Sequence, residues 1–164
     1  MNRGRRSWAK VRGPFAGIGT PLFHATTGAK AGSIIHQDGQ VLAASGYSSF
    51  GNTQFRISMT RSLEFALRGD FGPYIFVFDR DELRKRFRIA PMSYWGSIKR
   101  AVNKHNLAYN ESEEGVWTPA LPLKYVKGLI IPRRLLPYEL AELREALSGK
   151  PIVSQTRDGK WITA

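Results

Sequence analysis

The sequence predicts an α+β fold, on three observations. Residues 53–60 alternate, with Phe55, Ile57 and Met59 on one face and Arg56, Ser58 and Thr60 on the other, as in a half-buried strand. Tyr74-Ile75-Phe76-Val77-Phe78 is a continuous apolar run, suited to a central strand. The helical segments between such runs are short and show no regular strand–helix–strand alternation, so a doubly wound parallel sheet is not expected.

Each element has its own signal. Residues 1–19 are rich in Gly and Arg and read as a basic flexible arm, leaving residues 20–164 as one domain. Residues 21–26 form a short strand-like run, and residues 29–36 a short helix that turns at Asp38-Gly39. Residues 41–51 are small and polar and read as a loop. Ser62 is an N-cap for a helix over 63–67 that Gly69 ends. After the run at 74–78, Asp79 or Asp81 caps a helix reaching about residue 87. Residues 98–105 are expected to be helical. Residues 114–118 and 125–131 read as strands, the second stopped by Pro132. Residues 137–147 predict a helix with Pro in its first turn, Glu139 and Glu142 near its positive end, and Leu140, Leu143 and Leu147 on one face. The tail, residues 152–162, reads as a hairpin around Asp158-Gly159.

Composition excludes several classes. The chain has 164 residues and 42% hydrophobic content, enough for one packed core. With no cysteine there is no disulfide scaffold, thiolate zinc site or cysteine nucleophile, and three histidines without paired spacing argue against a His-based metal site. No run approaches the roughly 18 apolar residues of a membrane span, and no apolar stretch follows the basic N-terminus as in a signal peptide, so a cytoplasmic protein is expected. No Walker loop, dinucleotide fingerprint or nucleophile elbow is present.

Lys and Arg number 25 against 13 Asp and Glu, a net charge of +12. A balance of this size favours a polyanionic partner, whether nucleic acid, a phosphate-bearing ligand or an acidic protein, with solubility and a flexible basic arm as the alternative. The excess lies on Arg3, Arg5, Arg6, Lys10 and Arg12, on the run Asp79 to Arg88, and on Lys99, Arg100 and Lys104. The acids gather at Glu111, Glu113 and Glu114 and at Glu139, Glu142 and Glu145.

Three segments place polar groups at the edges of strand-like runs: Phe23-His24-Ala25-Thr26, Ser58-Met59-Thr60-Arg61 and Glu111-Ser112-Glu113-Glu114. In this order they resemble the ADP-ribosyltransferase superfamily over about residues 20–132. The first is similar to that family's His motif, the second to its Ser-x-Thr motif followed by a helix, and the third to its glutamate motif before a late strand. The resemblance implies a split β-sheet core with short helices, followed here by the C-terminal helix and hairpin. It implies that NAD is the substrate, no metal is used, and ADP-ribose passes to a macromolecular acceptor with release of nicotinamide. By resemblance, His24 bonds the adenosine-side ribose, the backbone at Ala25 holds the nicotinamide amide, Thr26 belongs to the same cofactor-binding motif, and Ser58 and Thr60 support the site. Arg61 is assigned to an NAD phosphate, with a salt bridge to Glu64 as the alternative.

The chemistry suits a carboxylate. Cleaving the nicotinamide–ribose bond develops positive charge on the ribose, which a nearby carboxylate stabilises. The Glu-x-Glu form of the family points to Glu113. Glu114 stays open as the alternative, because it shares a strand face with Val116. Glu111 is then an acceptor-activating residue or a surface one. The charge assigns Arg3, Arg5 and Arg6 to a nucleic acid, or to a protein bound to one. A non-enzymatic nucleic-acid-binding or assembly protein on the same fold is the competing reading.

Overall fold

A computed structural model describes residues 3–43, 46–49, 52–91 and 113–164 of the chain. The strands are β1 (Pro21–Thr26), β2 (Gln40–Leu42), β3 (Gly46–Ser49), β4 (Asn52–Phe55), β5 (Ile57–Thr60), β6 (Tyr74–Asp79), β7 (Arg88–Pro91), β8 (Glu113–Trp117), β9 (Ala120–Pro122), β10 (Val126–Ile130), β11 (Ile152–Gln155) and β12 (Trp161–Thr163). The helices are α1 (Arg3–Val11), α2 (Gly28–Ser33), α3 (Leu63–Ala66), α4 (Arg80–Arg84) and α5 (Pro137–Ala146). The expectation of helix at 98–105 lies outside the described residues.

Eight strands form one mixed sheet in the order β12-β11-β10-β6-β1-β5-β8-β7. Only β10 and β11 run parallel, and α5 lies between them in sequence. Two small antiparallel pairs, β2 with β9 and β3 with β4, sit outside it. The apolar run at 74–78 forms β6, in the middle of the sheet and buried on both faces. Its side chains alternate between two cores. Phe76 and Phe78 join Leu22, Leu129 and Ile131 on one face, capped by Leu83 of α4 and Leu143 of α5. Ile75 and Val77 join Phe23, Ile130 and Val153 on the other, capped by Val11, Phe15, Leu63 and Ala66.

The sheet divides between β1 and β5. Strand β1 pairs with β6 along its whole length, but with β5 at a single register position, Phe23 opposite Thr60. On the far side, β5 pairs with β8 from Ile57 opposite Val116 to Thr60 opposite Glu113. Past Phe23 the two half-sheets share no further paired residues, and a cleft opens there.

The N-terminal segment differs from the expected flexible arm. Trp8 stacks on Phe15, with ring centroids 5.7 Å apart, and meets Phe23 edge-on at 5.4 Å. Val11 and Phe15 are buried in the second core. Trp8 and Val11 lie three positions apart on α1 and Phe15 sits in the 3-10 turn Gly13–Phe15; with Ile18 they pack on the second core, and this burial fixes the segment. Gly128 makes room for it, since a Cβ there would collide with Phe15 and with the Pro151 carbonyl.

Two further differences concern a strand and a helix. The alternating run 53–60 breaks at Arg56, so Asn52–Phe55 turns away to pair with β3 in the stretch expected to be a loop. The helix expected at 29–36 ends as α helix at Ser33 and continues as a wider π turn to Asp38, with Gly39 left-handed after it. The caps follow local chemistry. Ser62 accepts the Phe65 N–H at 3.2 Å and Asp79 accepts the Asp81 N–H at 3.0 Å. Glu139 reaches back to the Leu136 N–H at 2.8 Å while holding Arg133.

Candidate active site

The cleft at the sheet division has a volume of about 520 Å³. His24, Ala25 and Thr26 of β1, Ser58 and Thr60 of β5, and Glu113 of β8 all line it, although the chain separates them by up to 89 positions (113 − 24).

His24 ties the two half-sheets together. Its Nδ1 lies 3.0 Å from the Ser58 carbonyl oxygen. A carbonyl only accepts, so Nδ1 carries the proton and Nε2 of the neutral ring is left as an acceptor. Burial pushes the imidazole below its ordinary value near 6.5, the Ser58 carbonyl pulls it up, and the charge of Lys30 pushes it down again. The ring is therefore neutral at pH 7, and Nε2 can take a hydrogen bond from a hydroxyl. The contact uses the backbone of Ser58, and its exposed side chain stays available.

The two candidate glutamates part company. Successive residues of a strand point to opposite faces. Glu113 stands opposite Thr60, half-buried, in the cleft wall. Glu114 is 1% exposed, and its carboxylate accepts from Arg80 Nε at 2.7 Å and lies 3.9 Å from Arg61 Nε. It is a buried structural ion pair that holds the start of α4 to the sheet. Arg61 is thereby placed at Glu114, neither in the cleft wall nor at Glu64.

The remaining candidates are distributed as follows. Thr60 is buried, and its Oγ1 accepts the Ser62 N–H at 3.0 Å, which shapes the turn into α3. Thr26 is also buried. Arg3, Arg5 and Arg6 lie on α1, with only their backbone described. Glu111 lies outside the described residues. Among the described residues no group of His, Asp or Glu could hold a metal ion, and no helix is long and apolar enough to cross a membrane.

Several lining residues escaped the sequence reading, among them Lys30, Arg56 and Phe71. Lys30, exposed on α2, and Arg56 place basic side chains in the cleft, and Phe71, 55% exposed, packs at 5.9 Å from Phe65 to form an aromatic wall. Lys30 follows the Thr27 cap by three residues, the one local signal for its position. Phe71 had none, because an aromatic beside glycine reads as ordinary loop.

No family model and no curated protein matches the sequence. The solved structures define the class: the chain has an ADP-ribosyltransferase-like fold. The likeness is to DarT of Thermus sp. 2.9. Its complex with NAD+ aligns at TM-score 0.54 and 11% identity, and its complex with carba-NAD+ at 0.51 and 12%; each covers 85% of this chain and 96% of that one. The complex with ADP-ribosylated ssDNA aligns at 0.50 and 10%, covering 79% and 89%.

Proposed function

We propose that the chain is a mono-ADP-ribosyltransferase that cleaves NAD and transfers ADP-ribose to single-stranded DNA. The observation that carries the reading is the meeting of His24, Ser58 and Glu113 in one cleft from three separate strands. The fold of a protein solved with NAD+ and with ADP-ribosylated ssDNA supports it.

The cleft residues fit the dinucleotide. Neutral His24 offers Nε2 to a ribose hydroxyl. Lys30, on the same wall, takes the pyrophosphate role that the sequence assigned to Arg61. Phe65 and Phe71 give an apolar face for a flat ring. In the reaction the bond between the ribose anomeric carbon and the nicotinamide nitrogen breaks, and its electron pair leaves with nicotinamide. The Glu113 carboxylate, in the cleft wall, stabilises the positive ribose that forms. A lone pair of the acceptor nucleotide closes the new bond to the anomeric carbon, and its proton leaves to the carboxylate or to water.

The test is incubation with NAD labelled in the adenylate part and a single-stranded oligonucleotide. Label on the oligonucleotide, release of nicotinamide, and a loss of about 10²–10³-fold in Glu113→Gln are expected. NAD left intact over a full range of oligonucleotide sequences, with tight salt-sensitive DNA binding, would instead establish a non-enzymatic binding protein.

A further inference from the structure

We propose that Arg88 and Trp117, joined by Arg56, form a seat for the phosphodiester backbone of the acceptor strand beside the cleft; this rests on single-stranded DNA being the acceptor. In β8, Glu113, Gly115 and Trp117 alternate onto one face. Four residues of strand put Trp117 roughly 13 Å from Glu113. Trp117 stands opposite Arg88 in the register of β7 with β8, and Arg56 directly precedes Ile57, which pairs with Val116.

Two guanidinium groups lie over the Trp117 indole, Arg88 at 5.0 Å and Arg56 at 5.9 Å from the ring centre. A cation–π contact restricts a guanidinium while leaving its N–H donors able to bond an anion. Such a group is oriented in advance for a phosphate, and less side-chain entropy is lost when the phosphate arrives.

Position and charge name the occupant. Arg56 also lines the cleft, so the stacked group is continuous with the wall that carries Glu113. Arg88 is exposed, and Arg84, Lys85 and Arg86, also exposed, precede it on the turn out of α4. A cationic border with an indole at its centre fits a flexible polyanion that carries bases. A strand held there by its phosphates presents a neighbouring nucleotide to the anomeric carbon at Glu113.

The experiment is fluorescence anisotropy of a labelled single-stranded oligonucleotide with the full chain, without NAD, over a range of salt. Arg88→Ala should weaken binding about tenfold and lower the salt slope by about 0.7, the value for one phosphate contact on a single strand. Trp117→Leu should weaken it through a freed Arg88, and Trp117→Phe should restore most of the affinity. Thermal melts confirm that each variant is folded, and Arg88→Ala, on the surface, serves if Trp117→Leu is not. Wild-type affinity and slope in Arg88→Ala would overturn the seat and leave the transferase reading standing. A wild-type chain that binds and cleaves NAD but binds no oligonucleotide would overturn both the seat and the DNA acceptor. Preference for RNA by tenfold or more would overturn single-stranded DNA as the occupant.

Discussion

Replacing Glu114 by Gln should destabilise the protein without removing the chemistry, and replacing Glu113 should do the reverse. At an effective dielectric near 20, the 2.7 Å contact with Arg80 and the 3.9 Å contact with Arg61 correspond to gross attractions of about 6 and 4 kcal/mol. Desolvation of a carboxylate that is 1% exposed cancels much of this, and the Arg61 contact counts for little because that side chain is 51% exposed. Removing one partner of a fully buried pair costs about 3–5 kcal/mol. Glutamine keeps an oxygen for Arg80 Nε, and Arg80, 20% exposed, regains some water, so about 2–3 kcal/mol is expected. For a chain of this size that lowers the melting temperature by about 5–10 °C. Glu113 makes no ion pair among the described residues, so Glu113→Gln should fall within about 0.5 kcal/mol of wild type. The assays are thermal or urea unfolding and nicotinamide release, the latter below the melting point of both variants. The assignment is refuted if Glu114→Gln melts with wild type, or if nicotinamide release survives Glu113→Gln and is lost in folded Glu114→Gln.

The pH dependence has a definite sign at His24. Its folded pKa lies below the ordinary 6.5, so between the two values the unfolded chain binds more protons and stability falls as the pH drops below about 6.5. Urea midpoints from pH 8 to 5 should show this slope in wild type and a shallower one in His24→Asn. Trp8→Ala removes two ring contacts that fasten α1 and should cost about 2–4 kcal/mol, seen as a lower urea midpoint and earlier proteolysis near residue 12. Gly72→Ala combines a backbone at φ +121° with a Cβ driven into the Thr26 carbonyl. It should cost about 1–3 kcal/mol and, by shifting the end of β1, raise the KM for NAD; an unchanged KM would mean that β1 does not depend on Gly72.

Much of the fold was legible wherever a segment carried its own pattern. The run at 74–78 had to be central, because five consecutive apolar side chains need cover on both faces. Pro137, Glu139 and the leucine spacing marked α5, and Asp158-Gly159 marked the last hairpin. The N-terminal helix was hidden because Gly and Arg dominate the composition of the segment, while Trp8 and Val11 are its few large apolar residues. The break at Arg56 was hidden because alternation looks the same in one strand or two.

The candidate site divides in the same way. Three short motifs, in order, pointed to His24, Ser58 and a glutamate between positions 111 and 114 as candidates, because residue type and order are properties of the chain; the structure brings His24, Ser58 and Glu113 to one cleft. The Glu-x-Glu form favoured Glu113 over Glu114, but which of the two side chains faces the cleft was beyond the sequence. Adjacent residues of a strand take opposite faces, and which face opens on the cleft depends on the pairing of β5 with β8 and on where β1 and β5 part. Arg61 lay beyond it for a similar reason: its partner, Glu114, arrives from more than fifty residues away. Residue chemistry is local and can be read along the chain; the register of distant strands decides which groups share a cavity.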